Sequence, residues 1–400
     1  MAKESSSNGL EKRPKLRFPG FDGAWSNVEL GSKLIPYSEI TTENNQYPPL
    51  TSSRKGLFLQ TDYFNRQVAS EDNTGYNIVP YGYFTYRHMS DDRTFYFNIN
   101  EIVEKGIVST LYPVFTTTDG LNSHFLRAYL NYSKRFALYC VLQKQGGSRT
   151  YMYFRKLCAH NAVIPSVEEQ EKIADFIDLL DKRIKLQNEK IECLKKYKRG
   201  LVNDVFSQRI ATYSERDEWT ISPFGEVVTI NPKTGSLPDE FIYLDLECVN
   251  SGKICAINII KRENAPSRAQ RLLEKNDVLY QMVRPYQQNN YYYANTFPFP
   301  IVASTGYAQI KCGACDPLFV YEQISSERFA KEAMLRSTGT SYPAINAEDL
   351  GEIPFFLPSI HIQKKIGTFL SLVNQKIFKS EEKLQLLKSA KSSLLQQLFI

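Results

Sequence analysis

Few residues in the sequence have the type and spacing that catalysis or metal binding requires. Cys312 and Cys315 form a lone CxxC motif, which supplies only half of a four-ligand zinc site. The four histidines are dispersed along the chain: His88, His124, His160 and His361. Asp91-Asp92 and Glu168-Glu169 are adjacent carboxylate pairs, typical of a turn and of a helix N-terminus. The sequence therefore predicts no metal site and no catalytic residue.

Motifs that bind nucleotides or methyl donors are also missing from the sequence. There is neither a GxxxxGK[ST] loop for ATP nor a GxGxxG cofactor loop. The Asn/Asp-Pro-Pro-aromatic tetrapeptide of amino-methyltransferases does not occur either. We therefore expect that this chain is not an enzyme by itself and binds no cofactor of its own.

The composition is that of a globular protein with a small basic excess. The 400 residues include 49 Lys and Arg against 43 Asp and Glu, and the net charge of +6 permits a polyanionic partner without requiring one. No stretch of apolar residues is long enough to span a membrane, and the first residues lack the apolar core of a signal peptide. The seven scattered cysteines favour a reducing compartment. We expect a cytoplasmic protein.

The strongest signal in the sequence is an internal repeat. PSVEEQEKIADFIDLLDKRI begins at Pro165, and PSIHIQKKIGTFLSLVNQKI begins at Pro358, 193 residues later. The globular parts repeat at nearly the same offset, since Trp25 and Trp219 lie 194 residues apart. Near-constant offsets over half of the chain indicate duplication of one unit, a globular module followed by a helix.

The helical part of each repeat carries an apolar seam with alternating steps of four and three residues, which is typical of a coiled coil. The predicted seam residues are Ile173, Ile177, Leu180, Ile184, Ile191, Leu194 and Leu201 in the first helix and Ile366, Leu370, Val373, Ile377, Leu384, Leu387 and Leu394 in the second. Polar residues interrupt both seams at matched positions: Gln187 with Ser380, and Lys198 with Lys391. Because polar seam residues select register and partner, we predict that the two helices pair with each other. The long connection between them permits either orientation, and we take the antiparallel coiled coil as a hypothesis.

Each globular module is predicted to be α+β with an irregular β-rich sheet. Segments such as NTGYNIVPYGYFTYRHMS and NDVLYQMVRPY have the composition of strands, whereas residues 124–143 and 326–336 have that of helices. The predicted organisation is a flexible N-terminal tail (1–16), a first module (17–160), a coiled-coil helix (163–206), a linker (207–218), a second module (219–352) and a second coiled-coil helix (356–400).

These features resemble those of type I restriction–modification specificity subunits. The resemblance is carried by a W-x-x-x-x-L/F-G opening at Trp25 and Trp219, by SRAQRLLEKNDVLYQMVRP from Ser267, by a Gly-Thr/Ser motif before the last strand, and by PSxxxQxKI at the start of each long helix. It implies that each module is a target recognition domain for one half of a bipartite double-stranded DNA sequence. It also implies that the coiled coil fixes the spacer and docks two DNA-methyltransferase subunits, which restriction/translocase subunits join. S-adenosylmethionine, ATP and Mg²⁺ would then be used by those partners.

If the resemblance holds, the DNA contacts should involve Arg, Gln, Asn and hydroxyl side chains, which pair with base edges or phosphates. The predicted contacts of the second module follow a strand and a later polar turn: Arg268, Arg271, Gln281, Arg284, Gln287, Gln288, Asn289, Thr340 and Ser341. Those of the first module are Arg54, Lys55, Arg87, His88, Ser148, Arg149 and Tyr151. The competing interpretation of each is an ordinary solvated loop, and for most of the nearby aromatic residues it is the core of a sheet.

Three other interpretations of the whole chain remain open at this point. The chain could be the specificity subunit of a type IIB-like system, which would share the fold but use another nuclease. It could be a coiled-coil interaction scaffold that binds proteins and no DNA. An enzyme with an active site between the modules is disfavoured by the missing motifs.

Overall fold

The computed structural model describes residues 14–63, 71–144, 148–206, 219–294 and 297–399. The chain forms two compact units: unit 1 comprises residues 1–187 and 383–400, and unit 2 comprises residues 188–382. Each unit therefore contains one module and one segment of each long helix. Most of the predicted N-terminal tail (1–13) and the predicted linker (207–218) lie outside the described residues.

The first module and its helix contain twelve of the described strands and five helices. They are β1 Ser26–Glu29, β2 Leu34–Tyr37, β3 Leu50–Ser53, β4 Gly56–Leu59, α1 Gln60–Tyr63, β5 Asn77–Pro80, β6 Phe84–Thr85, β7 Met89–Ser90, β8 Asn98–Ile99, β9 Lys105–Val108, β10 Val114–Thr117, α2 Ser123–Tyr132, α3 Lys134–Leu142, β11 Thr150–Tyr151, α4 Phe154–Cys158, β12 Asn161–Ile164 and α5 Val167–Phe206. The central sheet has the order β2-β10-β6-β8, and β1 pairs with β12. Three two-stranded pairs flank it: β3 with β4, β5 with β9, and β7 with β11.

The second module repeats this plan. Its elements are β13 Thr220–Pro223, α6 Phe224–Val227, β14 Thr229–Ile230, β15 Glu240–Leu244, β16 Val249–Asn250, β17 Lys253–Ile254, β18 Asn258–Lys261, β19 Ala269–Leu272, β20 Val278–Gln281, β21 Tyr291–Tyr292, β22 Ile301–Ser304, β23 Tyr307–Lys311, α7 Pro317–Ile324, α8 Glu327–Leu335, α9 Ala347–Gly351, β24 Pro354–Leu357 and α10 Ile360–Leu398. The sheet order β14-β23-β20-β21 matches β2-β10-β6-β8 position for position, and β13 pairs with β24 as β1 pairs with β12.

The second module also has a continuous sheet with the order β18-β15-β22-β19, which corresponds in the first module to the pairs β4-β3 and β9-β5, joined by a single parallel bridge between Pro49 and Ile107. In it β15 and β22 run parallel, and β18 and β19 are antiparallel to their neighbours. The predicted α+β class with irregular sheets is thus confirmed in both modules. The duplication preserves the central sheet, the closing strand pair and the order of the outer strands, which pair continuously only in the second module.

Both long helices begin later than the sequence predicts, because a closing strand precedes each of them. The predicted helix segments begin at 163 and 356, but β12 extends to Ile164 and β24 to Leu357. These strands pair with the first strand of their module, so the chain remains extended until each sheet is closed. The helices then begin at Val167 and Ile360.

Within each unit the two helix segments run antiparallel. In unit 1, Asp181 near the start of α5 forms an ion pair with Lys391 near the end of α10. In unit 2, Lys195 near the end of α5 pairs with Glu381 of α10 (3.0 Å). The side chains predicted for the two seams are all buried or half-buried. The coiled-coil prediction is therefore confirmed, including its orientation.

A buried glutamine joins each module to the start of its helix. In unit 1, Gln170 donates to the Pro165 carbonyl (3.1 Å) and accepts from the Asn122 N–H at the start of α2 (2.9 Å). In unit 2, Gln363 donates to the Pro358 carbonyl (2.9 Å) and accepts from the Asp316 N–H (3.0 Å). The glutamine of the PSxxxQxKI motif is thus a structural link, repeated in both halves.

The first described residues are packed against unit 1. The Leu16 N–H donates to the Gln397 carbonyl (3.0 Å), and the Arg17 guanidinium forms a bidentate pair with the buried Glu169 carboxylate (both contacts 2.7 Å). The hydrogen bond to Glu169 raises the pKa of Arg17. The flexible tail predicted for residues 1–16 therefore does not include Leu16, because this residue is tied to α10.

Candidate nucleic-acid interface

Two loops of the second module meet at the end of β20. The Ile345 N–H donates to the Met282 carbonyl (3.0 Å), and the Arg284 N–H donates to the Pro343 carbonyl (2.7 Å). These bonds join the predicted contact stretch after β20 to the polar turn that contains Thr340 and Ser341. Residues that are distant in the sequence therefore share one surface.

Gln281 holds the first of these loops together from inside. Its side chain is buried, donates to the Val283 carbonyl (2.7 Å) and to Oε1 of Gln287 (2.8 Å), and accepts from the Asn289 N–H (3.1 Å). Its own N–H donates to Oδ1 of buried Asn290 (2.9 Å). This corrects the prediction for Gln281. Its side-chain amide is used within the loop, and contact with a base would require these hydrogen bonds to break.

Arg284 has a conformation that sets it apart from the other predicted arginines. Its backbone is left-handed (φ 54°, ψ 59°), and its guanidinium lies over the ring of Tyr342 at 4.4 Å from the centroid. A cation on the face of a tyrosine ring is attracted by the negative face of the ring. Tyr342 is 65% exposed, so the pair lies at the surface of the module.

The other predicted contact residues in these two loops differ in the solvent exposure of their side chains. Gln287, Thr340 and Ser341 are exposed, whereas Gln288 and Asn289 are half-buried. Oδ1 of Asn289 accepts from the Ser251 N–H in the turn between β16 and β17 (3.2 Å), so this side chain also supports the loop.

Arg268 immediately precedes β19 and Arg271 lies within this strand, at the edge of the β18-β15-β22-β19 sheet. Arg268 is exposed and lines a cavity of about 720 Å³ together with Asp245, Ser304 and Thr305. Arg271 is half-buried, and its Nε is buried with no hydrogen-bond partner among the described residues. Burial lowers the pKa of Arg271. The two arginines thus differ: Arg268 can reach a ligand, whereas Arg271 is largely enclosed.

The equivalent surface of the first module surrounds the pairing of β7 with β11. The Met152 N–H donates to the His88 carbonyl (2.8 Å), as Ile345 does to Met282 in the second module. The His88 ring packs against the rings of Tyr151 and Tyr153, with centroids 6.1 and 5.1 Å away. Burial lowers the pKa of His88 from its ordinary value, which favours the neutral imidazole.

The acidic pair Asp91-Asp92 positions two predicted arginines of the first module. Arg149 donates to the Asp91 carboxylate (3.0 Å), and Arg54 forms an ion pair with Asp92. The hydrogen bond to Asp92 raises the pKa of Arg54. Both guanidiniums are about half-exposed or more, with 48% for Arg149 and 61% for Arg54. The carboxylates predicted to lie in a turn thus hold the two cations side by side.

The remaining predicted contacts of the first module are solvent-exposed: Lys55, Arg87 and Ser148. Lys55 follows Arg54 in the turn between β3 and β4. The structure therefore brings Arg54, His88, Arg149 and Tyr151 to one region through the segment 88–92, with Lys55 beside them.

Three exposed tyrosines on these surfaces were not among the predicted contacts. Tyr153 is 51% exposed and stacks on Tyr151, with ring planes 10° apart. Tyr286 is 55% exposed and Tyr342 is 65% exposed in the second module. The one indication in the sequence was that these tyrosines lie close to predicted arginines. Composition cannot distinguish an exposed tyrosine from the many buried ones.

Neither a metal centre nor a membrane span is found in the part of the chain that the structure describes. Within it, no group of three or more His, Cys, Asp or Glu residues is arranged to hold a metal ion. Cys312 and Cys315 form a turn in which the Cys315 N–H donates to the Cys312 carbonyl (2.9 Å), and burial raises the pKa of Cys312 to about 12. None of the described helices is both long and apolar enough to cross a bilayer.

Comparison with known proteins gives a consistent set of relatives. Residues 216–388 match the family model of the type I restriction modification DNA specificity domain. The type I restriction enzyme MjaVIII specificity subunit and the putative type I restriction enzyme MjaX specificity subunit of Methanocaldococcus jannaschii are each 24% identical to this chain, over 249 and 290 residues. The matches cover 57% and 68% of this chain and 59% and 66% of those relatives, so the chain spans less than two thirds of their length.

Two solved structures share the fold over nearly the whole chain. The S subunit of a type I restriction–modification system from M. genitalium has a TM-score of 0.59 at 16% identity and covers 97% of this chain and 99% of its own. A chain from a study of complex assembly and conformational transition of the type I R-M system has a TM-score of 0.56 at 16% identity, with 95% and 98% covered. Together with the duplicated module-and-helix plan, these matches identify residues 216–388 as a type I restriction modification DNA specificity domain, within a chain that has the fold of type I restriction–modification S subunits.

Proposed function

We propose that this chain gives a type I restriction–modification complex its DNA sequence specificity, with each module reading one half of a bipartite target. The observation that carries the proposal is the repeated surface. In both modules, arginine, polar and exposed tyrosine side chains lie around the same backbone bond, Met152 to His88 and Ile345 to Met282. Such side chains can pair with base edges and phosphates.

The coiled coil is proposed to set the spacer between the two half-sites. α5 has 40 residues and α10 has 39, which corresponds to about 60 Å at 1.5 Å per residue. The buried Gln170 and Gln363 hold the start of each helix against its own module. A stiff helical pair with fixed attachments would hold two readers at a constant distance and phase along a duplex.

Exposed apolar side chains at matched positions of the two helices are proposed to dock two methyltransferase subunits. Leu179 and Leu372, 193 residues apart, are 65% and 57% exposed, and Val167 and Ile360, also 193 residues apart, are 38% and 44% exposed. Apolar side chains that recur on the outside of both repeats fit two copies of one protein partner. Restriction/translocase subunits would join this core, and S-adenosylmethionine, ATP and Mg²⁺ would be bound by the partners.

Aspartate at either exposed leucine should remove one of the two partners. Leu179→Asp and Leu372→Asp change surface residues, so the unfolding temperature of the chain should stay nearly constant. Each single variant should bind one methyltransferase subunit, and the double variant none, as measured by native mass spectrometry of the co-expressed complex. Leu386→Asp is the control, because Leu386 is 71% exposed but corresponds to Cys193 in the other repeat. Two bound methyltransferases in both single variants would contradict the docking proposal.

The proposed function is tested by co-expressing the full chain with a methyltransferase subunit from the same genome in a host that lacks adenine methylation. Sequencing that detects methylated adenine should then find one bipartite motif with a constant spacer. A second observable is the salt dependence of DNA binding, which should be steep because phosphate contacts release counterions. If the complex forms and methylates DNA at a continuous motif or at random adenines, the proposal fails.

A further inference from the structure

We infer that Arg284 reads a guanine in the half-site of the second module, and that Tyr342 orients its guanidinium for this contact. The inference rests on the proposed function and adds to it the base that is read and the residues that read it. Three observations support it: the backbone conformation of Arg284, the hydrogen bonds that close the loop after β20 and the turn that contains Tyr342, and the contact of the Arg284 guanidinium with the Tyr342 ring.

The backbone around Arg284 is held in a rarely populated conformation. Arg284 and Gln288 both have left-handed backbones (φ 54° and 51°) and flank the short helical turn Pro285–Gln287. Residues other than glycine adopt this conformation infrequently, and they are concentrated at functional sites.

Both loops of the pair are closed by hydrogen bonds that fix the two side chains relative to each other. Thr338 and Ala344 exchange two backbone hydrogen bonds of 2.9 Å each, which close the turn that presents Tyr342. Gly339 has a φ of 91°, and a Cβ there would lie 3.1 Å from the Tyr342 carbonyl oxygen, so the tight turn needs glycine. The buried Gln281 fixes the other loop, and the Arg284 N–H bonds to Pro343 directly beside Tyr342.

The partner of the Arg284 guanidinium is an aromatic ring and not a carboxylate. Arg54 and Arg149 in the first module pair with carboxylates, whereas the Arg284 guanidinium lies over the exposed Tyr342 ring. A guanidinium that stacks on an aromatic ring keeps the N–H groups at its edge for a ligand. A planar fork of two N–H donors matches O6 and N7 of guanine in the major groove. A guanidinium can also pair bidentately with a phosphate, but that contact would not discriminate between bases, so the base preference of the methylation motif separates the two.

The first module has no arginine at the equivalent position. Met282 corresponds to His88 by their shared backbone bonds, so Arg284 corresponds to Ser90, whose hydroxyl donates to Asp92 (2.9 Å). The guanine contact is therefore specific to the second module, and the two half-sites should differ at this position.

The test compares base preferences in the methylation motif of the full chain co-expressed with its methyltransferase. The wild-type complex should require one guanine in the half-site that the second module reads. Arg284→Ala should reduce the preference for guanine at that position alone, by roughly five- to 150-fold, the discrimination of one bidentate pair. Arg284→Lys should lose the preference to the same extent, because lysine keeps the charge but has no planar fork. Tyr342→Phe should retain it, and Tyr342→Leu should weaken it.

Each result decides between the possibilities. An Arg284→Lys complex with the wild-type motif, or an Arg284→Ala complex with weaker methylation at all positions equally, would overturn the guanine contact and leave the proposed function intact. A wild-type complex without a bipartite motif would overturn the proposed function itself. Thermal unfolding of each variant, expected to match wild type, excludes loss of the fold as the cause.

Discussion

Replacing Gly367 with alanine should lower the free energy of unfolding by about 2–3 kcal/mol, the usual cost of overpacking. Gly367 lies within α10, and a Cβ there would be 2.6 Å from Oδ1 of Asp316 and 2.8 Å from the backbone nitrogen of Phe319. Oδ1 of Asp316 accepts from that same Phe319 N–H (2.9 Å) to cap α7. An added methyl group would therefore push α10 away from the start of α7.

The sign of this effect is informative, because helix propensity alone predicts the opposite. Glycine to alanine inside a helix ordinarily stabilises by about 1 kcal/mol. Gly200 is the matched control: it lies in α5, and a Cβ there would meet nothing within 4 Å, so Gly200→Ala should stabilise. Chemical denaturation of the purified full chain measures both. A Gly367→Ala protein at least as stable as wild type would show that α10 does not pack on α7 as described.

Replacing Lys198 with methionine should destabilise the protein by about 3 kcal/mol, since it leaves a buried carboxylate without its cation. Lys198 is one of the two polar interruptions of the coiled-coil seam and pairs with Glu322 (2.9 Å), whose side chain is only 1% exposed. The other oxygen of Glu322 accepts from the side-chain amide of Asn374 on α10. The lysine that interrupts the seam of α5 thus neutralises an acid of the second module.

The matched lysine of the second seam provides the comparison. Lys391 pairs with Asp181, which is 46% exposed, and also contacts the Tyr132 hydroxyl (3.2 Å). Water can hydrate Asp181 once its partner is gone, so Lys391→Met should cost much less than Lys198→Met. Adding Glu322→Gln to Lys198→Met should recover most of the loss, because no buried charge remains. Equal effects of the two lysine substitutions in urea denaturation would contradict this assignment.

The helical half of the fold could be predicted from the sequence, because the seam is a local and periodic signal. The two seams, their pairing and the matched interruptions follow from residue spacing, whereas the antiparallel orientation was only a hypothesis at that point. The partners of the two lysines do not, because Glu322 comes from the globular module and Asp181 from the opposite helix. The predicted helix over residues 124–143 is in fact α2 and α3, since Ser133 is extended and its hydroxyl caps the second helix. The sequence alone does not reveal whether a serine within a helical pattern caps a new helix or continues the same one.

Candidate contact residues could be located from the sequence, but their roles could not be distinguished. Arg284, Arg268 and Gln281 occur in similar polar stretches. Only the three-dimensional structure separates an arginine stacked on Tyr342, an arginine beside a cavity, and a buried amide that supports a loop. The pairing of Arg54 and Arg149 with adjacent aspartates was likewise invisible, because those partners are distant in the sequence.

The central claim, that each module reads its own half of a DNA target, is tested most directly by exchanging one module. Residues 219–357, bounded by the pairing of β13 with β24, would be replaced by the corresponding module of a relative with a different motif. Mapping of methylated adenines for the wild-type and exchanged complexes then gives two motifs. The account predicts that one half of the motif changes to that of the donor, while the other half and the spacer length stay the same. A change in both halves, or in neither, would contradict it.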